Sequence, residues 1–296
     1  MISLGWFGVG SGALADAQGV ADVAVAAETL GFESIWVGEH PVLIDPHAPP
    51  SPLPPRSELL DPVPVLAYAA ARTTRIKLGT GIVILPLRNP VILAKQLASV
   101  DVLSNGRLLV GVGVGYVPGE YEAIGVPFVR RGQRADDYID AMRALWDQDE
   151  PEFSGEFAAF SGIQCRPQPL APRLPVHASG MSTAALRRAL ARADGWYGFF
   201  QDLDATKRSL AELARLADEV ERPAALGPLQ ITITPPPGPL DADMVNRFED
   251  VGVHRLVILR DFMDMAGGPN PKTRALFVQE MESTAARLGL GGAPTG

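Results

Sequence analysis

Apolar residues along the chain alternate between short solid runs and longer segments with helical spacing. Residues 2–9 form a short apolar run bounded by glycines, the pattern of a buried strand. Residues 16–30 place apolar side chains at Val20, Val23, Ala24, Ala27 and Leu30, a helical spacing that Gly31 should end. The same alternation predicts strands over 34–37, 76–85, 108–114, 175–178, 195–199, 229–234 and 255–259. It predicts helices over 64–72, 94–103, 134–146, 183–193, 205–220, 241–251 and 272–288. Residues 41–64 hold nine prolines and read as irregular chain beyond their ends. Residues 153–160, with a Ser154-Gly155 turn, read as a hairpin. Eight strands alternating with eight helices is the count of a (β/α)8 barrel of the α/β class, with a doubly wound sheet as competitor. A single domain over 1–288 and a flexible Gly-rich tail over 289–296 are expected.

Composition narrows the function classes. A chain of 296 residues buries roughly 75% of its unfolded surface and needs no staples. Cys165 is the sole cysteine, so no internal disulfide forms, and with four histidines no metal site is expected. A net charge of -8 argues against a nucleic-acid partner. The first residues lack a basic signal-peptide region, and apolar stretches such as 20–27 are far short of the roughly 20 residues that span a bilayer. No membrane partner and a cytoplasmic location are therefore expected, with a small molecule as substrate.

In a barrel the working residues lie at the C-terminal ends of strands and in the loops that follow. Glu39-His40 ends the second predicted strand under the Pro-rich segment. It is the best acid/base candidate, because histidine titrates near neutrality; the alternative is a surface pair opening a loop. His47 lies within that loop, His177 is mid-strand as a core histidine would be, and His254 precedes the last strand on the wrong face. The run Gly111-Val-Gly113-Val-Gly115 fails as a dinucleotide fingerprint. Tyr116 stands where the third glycine belongs, and Pro118-Gly119 stands where a helix should open. Those glycines either admit a flat ligand to the backbone or pack tightly inside the barrel. Ser179-Gly180-Met181-Ser182 leads into a helix and offers either an anion site or an ordinary N-cap. Cys165 has no evident base and is read as inert, and Tyr138, Met142, Leu145 and Trp146 as a core stripe.

Several phrases resemble the luciferase-like monooxygenase superfamily. They are Gly31-Phe-Glu-Ser-Ile-Trp-Val-Gly-Glu-His40, Thr73-Thr-Arg-Ile-Lys-Leu-Gly-Thr-Gly-Ile82, Ser99-Val-Asp-Val-Leu-Ser-Asn-Gly-Arg107, the run from Gly111 to Gly115, Phe128-Val-Arg-Arg-Gly-Gln-Arg134 and Ala193-Asp-Gly-Trp196. The compact chain looks most like the branch that uses coenzyme F420. The resemblance implies a barrel holding a deazaflavin or flavin across its mouth, and a homodimer. It places Glu39 and His40 beside the ring in catalytic roles, with a non-proline cis bond at Gly81-Ile82 behind it. Gly113, Gly115, Tyr116 and Arg134 would line the cofactor, and Ser179, Gly180 and Met181 would take its phosphate side; Arg130 and Arg131 would join Arg134 on an anionic tail. One departure stands out: the sugar-phosphate dehydrogenase branch has an acid directly after the glycines, where this chain has Tyr116. The expected activity is hydride transfer between coenzyme F420 and a small organic substrate. The alternatives are an FMN-dependent monooxygenase and a flavin-holding protein with little turnover.

Overall fold

The computed structural model describes residues 2–170, 173–238 and 240–291. In chain order the elements are β1 (Ser3–Phe7), α1 (Ala17–Leu30), β2 (Ser34–Val37), α2 (Pro62–Arg72), β3 (Lys77–Thr80), β4 (Val83–Ile84), α3 (Pro90–Leu103), β5 (Leu108–Gly113), α4 (Pro118–Ile124) and α5 (Arg131–Asp147). They continue with β6 (Phe153–Ser154), β7 (Ala159–Phe160), β8 (Val176–Ser179), α6 (Thr183–Arg192), β9 (Gly195–Phe199), α7 (Leu203–Ala217), β10 (Gln230–Thr234), α8 (Ala242–Asp250), β11 (Arg255–Ile258) and α9 (Pro271–Leu288). Parallel pairing runs from β3 through β2, β1, β11, β10, β9 and β8 to β5, and β5 pairs back onto β3. The ring is closed, and the (β/α)8 expectation holds over the open-sheet competitor.

Each helix starts and stops for local reasons. Asp16 caps α1 by accepting the Gly19 N–H, and Gly31 ends it at φ 88°. Asp61 caps α2, so Pro62 and Pro64 fall in the first turn, where a missing N–H costs nothing. That helix consequently begins earlier than the proline count suggests. Gly289 caps α9 at φ 63°, and the Leu290 N–H returns to the Ala285 carbonyl at 2.9 Å. The first residues of the expected tail therefore belong to the helix cap; 292–296 lie outside the described residues. The hairpin is present, but its turn spans Gly155 to Ala158 rather than Ser154-Gly155.

Alternation along the strands divides the core. Trp6 faces outward between Phe32 and Phe277, in the large layer between sheet and helices. Its neighbour Phe7 faces inward with Trp36, Leu109, Tyr197 and Val257, which fill the barrel. Beneath them lies a polar stratum. Arg255 grips Glu33 through two 2.8 Å bonds and donates to Thr232 Oγ1 at 3.2 Å, while Lys77 pairs with Glu33 at 2.8 Å. His177 lies against Thr232, 2% exposed; burial first, then Arg255, pushes its pKa down to about 3. It is the core histidine that its mid-strand position suggested. His254 Nδ1 accepts the Ile231 N–H, away from the mouth.

Two features shape the mouth. The third predicted strand is broken into β3 and β4 around a cis Gly81–Ile82 peptide, as expected. The Pro-rich segment contributes Leu59 to the mouth and is tied to the chain that follows β1 and to the chain that follows β11. Leu60 N–H bonds the Gly10 carbonyl, Gly12 N–H the Glu58 carbonyl and Glu58 N–H the Gly267 carbonyl, while Leu53 is fully buried.

Candidate active site

A cavity of about 460 Å³ opens at the C-terminal end of the barrel. Its size suits a small-molecule ligand. Phe7 and Tyr197 form part of its floor, and Gly38, Glu39 and His40 follow β2 along one side. Gly81, Ile82 and Ile84 come from the broken strand, and Gly113, Val114, Gly115 and Tyr116 from the end of β5. Ser179, Gly180 and Met181 join β8 to α6, and Phe199, Phe200, Phe262 and Met265 complete the wall under Leu59. Ten of the eleven residues singled out in the sequence thus meet in one chamber.

Arg134 is the exception. It is buried under the Phe157 ring and donates to the Pro127 carbonyl at 2.9 Å, outside the lining. Arg130 is engaged too, with its guanidinium on the Glu156 carboxylate. Arg131 alone of the three reaches the lining, donating to the Gly115 carbonyl at 3.3 Å while stacked on Phe128.

The glycine run resolves toward tight packing. A Cβ on Gly111 would stand 2.0 Å from the Thr80 carbonyl oxygen, and one on Gly113 would stand 2.7 Å from Ile82 Cδ1. These positions are glycine so that the broken strand can lean over β5 and present Ile82 to the chamber.

Glu39 and His40 do different work. The Glu39 carboxylate accepts the Ile84 N–H at 2.5 Å and is held by the Arg88 guanidinium, which also contacts Asp61. Burial pushes the Glu39 carboxyl up, and Arg88 and the Ile84 amide oppose this. Glu39 is thus a brace for the broken strand, and its carboxylate turns to Arg88 rather than to His40. The partner of His40 is Glu120, fully buried, whose Oε1 lies 2.9 Å from His40 Nδ1. A carboxylate only accepts, so Nδ1 carries the proton and Nε2 is left for the cavity. Glu120 Oε2 has no partner among the described residues. Tyr116 sets its ring edge-to-face on His40 at 5.9 Å.

Glu120 is hidden in the sequence because Pro118-Gly119 does not read as a helix opening. The signal was present: proline at the first position, an acid in the first turn and Gly125 just past the end are ordinary helix punctuation. Ser182 does cap α6, accepting the Ala185 N–H at 3.3 Å, and the turn before it still lines the chamber. Cys165 is buried, and burial pushes its thiol up.

A parallel barrel with a mouth chamber backed by a histidine–carboxylate pair defines an enzyme of the α/β-barrel class. The sequence profile described as Luciferase-like monooxygenase matches residues 3–239. An uncharacterized protein of Mycobacterium tuberculosis is 35% identical over 245 residues, covering 80% of this chain and 83% of its own. An FMNH2-dependent dimethylsulfone monooxygenase of Pseudomonas putida is 36% identical over 112 residues, 37% of this chain and 31% of that protein. The structure of an F420-dependent secondary alcohol dehydrogenase with an F420-acetone adduct superposes with a TM-score of 0.74 at 17% identity, covering 98% of each chain. The chain belongs to the luciferase-like monooxygenase family and is an oxidoreductase of the F420- or flavin-dependent kind.

The lining suits such a group. An apolar chamber with Ile82 projecting from one wall accepts a flat ring. The turn at Gly180 (φ 121°), leading into the N-terminus of α6, offers backbone N–H groups to a phosphate. Among the described residues no helix is long and apolar enough to cross a membrane, and no cluster of metal-ligating side chains occurs.

Proposed function

We propose that this chain is a coenzyme F420-dependent oxidoreductase acting on a small organic substrate. The observation that carries the reading is His40, lining an apolar chamber with Nδ1 anchored on the buried Glu120. When bound, the deazaflavin supplies a two-electron hydride carrier. Ile82 would back its ring, Gly113, Gly115 and Tyr116 would border it, and Ser179, Gly180 and Met181 would receive its phosphate. Arg131, bonded to the Gly115 carbonyl of the lining, is the cation we assign to its anionic tail. His40 Nε2 takes or returns the proton on the substrate oxygen, and Glu120 stabilises the imidazolium while it carries that proton. The tied-down Pro-rich segment keeps water from the reacting atoms.

Reduced FMN is the alternative cofactor, favoured by the match to the dimethylsulfone monooxygenase. A side-by-side titration of the purified chain with coenzyme F420 and with FMN decides between them. Tighter deazaflavin binding is expected, and tighter FMN binding would reverse the assignment.

A further inference from the structure

The chamber's charge balance bears on what else enters it. Among the described residues, no lysine or arginine lines it. Of the arginines around its rim, Arg88 is paired with Glu39 and Asp61 and Arg260 with Asp264, while Arg131, stacked on Phe128 and bonded to the Gly115 carbonyl, is assigned to the cofactor tail. A carboxylate or phosphate on the substrate would lose its hydration with no lysine or arginine of the lining to receive it. The backbone amides near Gly180 lead into the N-terminus of α6, and the cofactor phosphate is assigned to them.

The remaining wall is aromatic. Ring centroids step from Phe7 to Phe199 at 5.1 Å, to Phe200 at 4.7 Å and on to Phe262 at 5.7 Å. This chain of edge contacts climbs from the barrel floor to the rim. Phe200 sits at φ 54°, a left-handed conformation that bulky side chains avoid, yet it lines the chamber and is 38% exposed. Strain of this kind persists where the placement of a side chain matters. Tyr116 and Met181, 50% and 54% exposed, continue the apolar rim.

We infer that the substrate is uncharged and largely apolar, carrying one hydroxyl or carbonyl oxygen for His40, and that Phe200 sets its fit. This rests on the oxidoreductase reading of the chamber and excludes phosphorylated and carboxylate substrates.

The test uses three probes with one body: benzyl alcohol, benzoate and benzyl phosphate. Their binding is titrated by calorimetry or ligand-observed NMR, with and without bound cofactor. The alcohol is expected to bind about tenfold or more tightly than either anion. Phe200→Gly suits the left-handed backbone and so preserves the fold while removing the ring. It is expected to weaken benzyl alcohol about tenfold and leave cofactor affinity unchanged, and Phe200→Leu should recover part of the loss. Equal or tighter binding of an anion overturns the substrate class. Loss of cofactor and alcohol together in Phe200→Gly overturns the role of Phe200. Failure of coenzyme F420 to bind counts against the proposed function alone, because the probe preference is also measured without it.

Discussion

The proton on His40 Nδ1 is fixed by Glu120, so the chemistry of this residue is confined to Nε2. A positioned acid/base contributes about 10²–10⁴-fold to rate. His40→Ala should therefore lower turnover by that order while cofactor affinity, read by fluorescence titration, moves little. Glu120→Gln keeps the shape and the accepting oxygen but removes the charge that favours imidazolium. Its turnover should fall about tenfold while cofactor affinity stays unchanged. A packing role for Glu120 would leave turnover at the parent level. Normal turnover in His40→Ala would remove the histidine from the mechanism.

Among the elements, the broken strand β3–β4 and the end of β5 form one unit, because Ile82 occupies the space that the missing Cβ of Gly113 leaves. Gly113→Ala puts a methyl 2.7 Å from Ile82 Cδ1, so Ile82 must shift within the chamber. Overpacking of this kind costs about 1–3 kcal/mol. Cofactor affinity should drop about tenfold or more, while far-UV circular dichroism stays that of the parent. The strands and most helices were legible because each carries its period and its stops, such as Asp16 and Gly31 around α1. The meeting of residues 39–40, 81–82, 113–116 and 179–181 was legible too, because barrel geometry brings strand ends together. The pairings were not. Glu39 and His40 are adjacent in sequence and turn to different partners, Arg88 and Glu120, that lie 49 and 80 positions away. Arg134 misled because its charge suggested an anion, whereas its side chain packs on Phe157 and the chain at Pro127.

Across the whole molecule, the polar stratum under the barrel core makes stability depend on acid. Burial alone would raise the Glu33 carboxyl, but Arg255 and Lys77 outweigh it and hold the pKa at about 2, below the ordinary 4.5. A depressed carboxylate contributes stability that is present above 4.5 and lost as pH falls toward 2, here on the order of 3 kcal/mol. His177 stays neutral in the fold down to about 3, whereas the unfolded chain protonates it near 6.5. Its contribution also declines as pH drops, starting earlier. The denaturant midpoint is expected to fall gently from pH 6.5 and steeply below 4.5. Glu33→Gln should flatten the steeper part; a midpoint level from pH 7 to 4.5 would contradict the His177 assignment, and an unchanged slope below 4.5 in Glu33→Gln that of Glu33.

That same stratum, with Trp36 and Tyr197 packed above it, stops the bore of the barrel. Among the described residues the chamber is therefore closed at its floor and opens at the C-terminal end of the barrel. Whatever seats deepest must arrive first and depart last, and each product leaves through the opening its successor needs. For two ligands stacked in such a chamber, the architecture sets an order of arrival before any loop moves.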